Sequence, residues 1–183
     1  MAHDVFLSHS SKDKAIADTI CSALEENGIR CWIAPRNIPI GKEWGEAIID
    51  AINDSKIFVL IFSSNSNCSK QVVREVERAA SKELLIIPFR IENIQVSKSL
   101  EYYLSLPQWL EAHTPSWKGH VSSLINTIKR NLGDNTYFIN KDPISEDFIN
   151  ELEKNFKYSV ENGLAVLCME KVNWESGSGW DEY

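Results

Sequence analysis

Apolar and polar positions repeat in a regular order over residues 1–132. Runs that are apolar throughout alternate with stretches whose apolar residues recur at helical spacing. The clearest run, Lys56-Ile57-Phe58-Val59-Leu60-Ile61-Phe62, has no polar alternation and must be covered on both faces. That is the mark of an inner strand of a parallel sheet with helices above and below. Asp4–Ser8, Ile29–Ile33 and Leu84–Phe89 read as further strands, with Pro88 marking the exit of the last, and Gln108–Leu110 as a short edge strand. Between them, Ile16, Ile20, Ala23 and Leu24 share a helix face. Ser11 or Asp13 is its cap, and Asn27-Gly28 its stop. Trp44, Ile48, Ala51 and Ile52 define a second helix, with Trp44 expected in the core, and Val72, Val76, Ala79 and Ala80 a third. A short helix is expected near 98–104, and a last one over 117–132 carries Val121, Leu124, Ile125, Ile128 and Leu132. Strand and helix in strict alternation predict an α/β fold built on a doubly wound parallel sheet.

The character changes past Gly133. Residues 134–143 are polar and turn-rich, with Tyr137-Phe138-Ile139 a candidate short strand. Residues 145–159 have helical spacing, Gly163–Met169 reads as a strand, and 175–183 are polar. A domain over 1–132 followed by a small C-terminal α/β extension over 133–183 is the expected organisation.

Composition narrows the class. The chain has 183 residues, 43% hydrophobic and 25% charged, the balance of a globular protein with a core of ordinary size. A net charge of −7 argues against a nucleic-acid footprint. Cys21, Cys31, Cys68 and Cys168 show no CxxC spacing, so free thiols in a reducing compartment are expected, with no metal site. Met1-Ala2-His3-Asp4 leads straight into a strand, so no signal peptide is expected, and no apolar run approaches the roughly 18 residues that span a bilayer. A cytoplasmic protein away from membranes is the expectation. Neither GxGxxG nor a P-loop is present, so dinucleotide binding of the Rossmann type and triphosphate chemistry are not signalled.

The candidate chemistry sits where the central strand stops. Ligands of open α/β sheets collect outside the carboxyl ends of strands, and there Phe62 gives way to Ser63-Ser64-Asn65-Ser66-Asn67. On the helix that follows, Glu75 falls on the flank of the apolar arc, whereas Arg74, Glu77 and Arg78 point farther out. A carboxylate at the edge of a buried face is a candidate catalytic group; a solvated Glu paired with Arg78 is the alternative. Ser8, His9 and Ser10, at the end of the first strand, are either donors to a ligand or a helix cap with a surface histidine. Arg36 and Lys42 lie in a loop punctuated by Pro35, Pro39 and Gly41, and are either steering charges or solvated ones.

Several segments resemble, in order and spacing, the bacterial Toll/interleukin-1 receptor (TIR) domains. They are Asp4-Val5-Phe6-Leu7-Ser8-His9-Ser10, Gly28–Pro35, Ile38-Pro39-Ile40-Gly41 with Trp44, Phe62–Ser66, Val72–Val76 and Ile86-Ile87-Pro88-Phe89. The resemblance covers roughly residues 3–132 and implies a flavodoxin-like parallel sheet of five strands. Many bacterial and plant members cleave the nicotinamide–ribose bond of NAD⁺, giving nicotinamide with ADP-ribose or with cyclic or conjugated signals. The resemblance places the catalytic Glu at Glu75, and puts Gln71 where the Trp-x-x-x-Glu pattern has its Trp. It further implies NAD⁺ as substrate rather than cofactor, contacted by the loop at Ser8–Ser10, by Arg36, Lys42 and Trp44, and by Ser63 and Gln71. It implies TIR–TIR self-association through the Arg36–Lys42 loop, and a downstream effector that senses the product.

An NAD⁺ glycohydrolase or cyclase of bacterial antiphage defence is therefore the leading expectation. A non-catalytic TIR interaction module, such as a virulence mimic of host adaptors, and a nucleoside N-glycosidic transferase are its alternatives.

Overall fold

The computed structural model describes residues 3–41, 43–114, 117–133 and 150. The expected elements over 137–139, 145–159 and 163–169 lie outside the described residues, apart from position 150. Five strands form one parallel sheet: β1 (Val5–Ser8), β2 (Cys31–Trp32), β3 (Ile57–Phe62), β4 (Leu85–Arg90) and β5 (Leu110–Glu111). Their order is β2-β1-β3-β4-β5. Helices α1 (Lys14–Glu26), α2 (Trp44–Asp54), α3 (Ser64–Asn67), α4 (Lys70–Ser81), α5 (Lys98–Leu104) and α6 (Trp117–Leu132) fill the connections. This is the flavodoxin-like order, in which the chain reverses direction across the sheet between β1 and β3.

Strand residues alternate between two cores. Val5 and Leu7 of β1, with Val59 and Ile61 of β3, pack under α1 and α6. Phe6, Phe58, Leu60 and Phe62 face α2, α4 and α5. On that second face aromatic rings run across three strands. Trp32 stacks on Phe6 at 4.9 Å, and Phe6 on Phe58 at 5.4 Å. Period-two geometry puts Ser8 on the same face, two residues beyond Phe6.

Three local expectations are corrected. Pro88 does not end β4, which runs on to Arg90 with Pro88 opposite Leu60 of β3. Neither Ser11 nor Asp13 caps the first helix through its side chain. Ser10 caps a preceding 3-10 turn over Ser11–Asp13, and Asp13, at the N-cap position of α1, turns its carboxylate elsewhere. Trp44 does not join the core and is 54% exposed. The Ser/Asn turn also holds structure of its own, the single helical turn α3, closed by a capping box between Ser63 and Ser66. Cys21 and Cys31 are buried free thiols and Cys68 is half-buried. No described helix is long and apolar enough to cross a membrane.

Candidate active site

Helix α4 begins on Ser69, whose hydroxyl accepts from the Val72 amide at 3.3 Å. From that start Val72, Val76 and Ala79 point into the core against β3. Glu75, one position before Val76, is turned toward the end of β1 and is only 7% exposed. Its Oε2 accepts the Ser8 hydroxyl at 2.6 Å, and its Oε1 accepts the Gln71 amide at 3.0 Å. Gln71 and Glu75 are four residues apart, which sets them on one helix face.

Burial pushes the Glu75 carboxyl above its ordinary range, while the Ser8 and Gln71 bonds pull it back. Arg78, the partner expected for a solvated Glu75, instead donates to Asn53 Oδ1 at 3.0 Å. Among the described residues Glu75 forms no ion pair, so its charge is held by neutral donors alone. Glu75 opens onto a cleft of about 430 Å³ between α2 and α4. Gly45, Ile48 and Ile49 form one wall and Gln71, Arg74 and Arg78 the other. Arg74, which helical spacing turns outward, therefore lies along this cleft.

The other candidates divide. Ser10 is spent on the turn cap, accepting from the Lys12 amide at 3.4 Å. His9 is half-buried, and burial lowers its imidazole pKa against a raising backbone bond to Leu7. Ser63 is buried and donates to Asp13 Oδ2 at 2.6 Å, away from Glu75. Arg36 turns back onto α1, donating to Glu25 at 2.6 Å and 3.0 Å and to Cys21 Sγ at 3.4 Å. Lys42 lies outside the described residues. Trp44 starts α2, next to Gly45 on the cleft wall.

One cluster was not foreseen. Asp13 is buried between the loops that follow β1 and β3, accepting from Ser63 and from Asn65 Nδ2, each at 2.6 Å. Burial raises its carboxyl pKa, and both donors oppose the shift. The cluster ties together the loops on either side of the strand reversal, and so fixes the end of β1 that carries Ser8. Its only signal in the sequence is an acidic residue at a helix start, which usually marks a cap. Among the described residues no group of His, Cys, Asp and Glu is arranged to hold a metal ion.

Comparison with known proteins agrees with this architecture. The TIR domain of the Toll-related receptor TRR-2 from Hydra magnipapillata superposes with a TM-score of 0.52 at 20% identity, over 72% of this chain and 95% of that one. A metazoan TIR-STING receptor from C. gigas gives 0.54 at 20% identity, over 69% of this chain and 40% of the receptor. At that identity the likeness is one of fold. The family model described as the TIR domain matches residues 5–125, most of the chain, and with the five-stranded parallel sheet this places the protein in the TIR domain family.

Proposed function

We propose that the protein cleaves the nicotinamide–ribose bond of NAD⁺, with Glu75 as the catalytic carboxylate. The observation that carries this reading is a buried carboxylate, opening on a cleft, whose described partners are two neutral donors. Such a group lacks a cation, and the reaction moves one from the pyridinium ring onto the sugar. As the C1′–N bond breaks, its electron pair returns to the pyridinium, which leaves as neutral nicotinamide without needing a general acid. The ribose becomes oxocarbenium-like, and a fixed negative charge beside it lowers that barrier. Ser8 and Gln71 hold Glu75 in place in this scheme, so no reorganisation is needed when charge develops.

Water at C1′ would give ADP-ribose, with its proton released to solvent, and attack from within the substrate would give a cyclic product. Trp44, exposed at the start of α2, is free to stack on a ring of the substrate. Arg36 is committed to Glu25, which favours a role in shaping its loop over steering the diphosphate. Self-association through that loop, a downstream sensor of the product, a cytoplasmic site of action and a setting in bacterial antiphage defence belong to the same proposal.

A non-catalytic assembly module is the second reading, favoured by Ile40 and Trp44, two large apolar side chains left exposed four positions apart in the chain. Mass spectrometry of NAD⁺ incubated with concentrated protein, wild type beside Glu75→Gln, separates the two. Nicotinamide release that depends on Glu75 supports the enzyme. Equal release from both proteins, or none at any concentration from a well-folded wild type, overturns it.

A further inference from the structure

Arg74 and Arg78 are four residues apart on α4, so they share a helix face along the cleft onto which Glu75 opens. Arg74 is exposed and, among the described residues, forms no hydrogen bond or ion pair. Arg78 is half-buried. Its Nη2 donates to Asn53 Oδ1 at 3.0 Å, while its Nε is buried and has no partner. A buried donor left unpaired is rare in a folded protein and points to an acceptor that the chain does not supply. Neither guanidinium has a task in the bond cleavage assigned to Glu75.

The charges are ordered along the cleft. Helices α2 and α4 each lead into a strand of one parallel sheet, so they run the same way, and the Asn53–Arg78 bond registers their far ends. Gly45 and Gln71 therefore stand at one end of the cleft, next to Trp44, and Ile52 and Ser81 at the other. Glu75 lies between them, with Arg78 about 4.5 Å farther along the helix axis. A ligand in register with this order has a cationic ring at the Trp44 end, a sugar beside Glu75 and an anion beyond it. Guanidinium groups suit phosphoryl oxygens, which they grip through Nε and one Nη together. Glu77 is the other charge on this wall and opposes an anion, but it is exposed, where solvent and salt screen it.

We propose that Arg74 and Arg78 form a phosphoryl subsite that holds the 5′-phosphate of the substrate while its C1′ lies beside Glu75. The site then takes pyridinium ribosides that carry a 5′-phosphate or diphosphate and discriminates against the bare nucleoside. This rests on the reading of Glu75 as the catalytic carboxylate.

Two measurements on the full chain test it. The first is calorimetric titration with ADP-ribose, which carries the diphosphate and lacks the pyridinium. Arg78→Gln is expected to weaken binding by about tenfold or more, Arg74→Gln by about threefold because it is exposed, and Glu77→Gln to tighten it slightly. The second is nicotinamide release from nicotinamide mononucleotide and from nicotinamide riboside, which differ only in the 5′-phosphate. Both arginine variants are expected to lower kcat/KM for the mononucleotide by those factors and to leave the riboside unchanged. The subsite is overturned if ADP-ribose binds wild type and both variants equally, or binds none of them. It is equally overturned if turnover of both substrates falls by one factor, the mark of a merely structural role. Arginine-dependent ADP-ribose binding without nicotinamide release from any substrate would uphold the subsite and remove the catalytic reading of Glu75. Should Arg78→Gln lower Tm through loss of the Asn53 bond, Arg74→Gln decides.

Discussion

The hydroxyl of Ser8 donates to Oε2 of Glu75 at 2.6 Å, joining residues 67 positions apart in the chain. The bond crosses from the carboxyl end of β1 to the middle of α4, so it forms only once the sheet and its covering helix are assembled. It stabilises the ionised carboxylate against the burial that favours the neutral form. Ser8→Ala should raise the Glu75 pKa further, and the acid limb of the pH–rate profile on NAD⁺ should move to higher pH. A hydrogen bond to a charged group is worth about 1.5–3 kcal/mol, or about 1–2 pH units. An acid limb that stays in place would remove Ser8 from the catalytic arrangement.

Gln71→Ala should move the same limb in the same direction, but by less. Gln71 is exposed, so water can replace its amide at Oε1. Ser8 is buried, and no such replacement is available to it. Comparing the two pH profiles under identical salt checks the order of the effects.

Glu75→Gln should abolish turnover and yet stabilise the fold at neutral pH. Because the folded-state pKa of Glu75 is raised, its favourable contribution is present below the unfolded value and is lost as pH rises through the folded one. The amide cannot ionise, so the gain in Tm over wild type should grow from pH 4 to pH 8. Paired thermal melts across that window read it directly. The site would then illustrate activity maintained at the expense of stability.

Ser63→Ala should cost about 1–3 kcal/mol in urea unfolding, because it takes a donor from a buried carboxylate and a cap from α3 at once. Asp13→Asn should interact with it non-additively, since both changes act on one network.

Asp4 behaves in the opposite sense to Glu75. Bonds from Arg30 at 2.8 Å and 2.9 Å, and one from Lys56 at 3.3 Å, hold its carboxyl well below the usual range. Its contribution is present above the unfolded pKa and is lost as pH falls. Asp4→Asn should therefore lower Tm at pH 7, with the difference narrowing below about pH 4.

Much of the sheet was legible because an inner parallel strand has no choice but to be apolar on both faces, as Ile57–Phe62 is. Pro88 misled because a missing N–H normally breaks a ladder; here its nitrogen points to the outer edge, where pairing with β5 begins only at Phe89, so the omission costs nothing. Trp44 misled for a geometric reason. A helical side chain leans over the turn before its own Cα, and Trp44 opens its helix, so no earlier turn of α2 lies beneath it. The position of Glu75 on the flank of α4 was readable from spacing. Its depth was not, because its partner Ser8 is supplied by the neighbouring strand order.

The stack of Trp32, Phe6 and Phe58 bears on how sequence variation at this protein should be interpreted. Phe6 lies two residues before Ser8 in a strand only four residues long, clamped between two rings. A smaller side chain there would let β1 settle sideways and carry the Ser8 hydroxyl with it. Substitutions at position 6 would then score as catalytic defects in a screen, although the residue never meets the substrate.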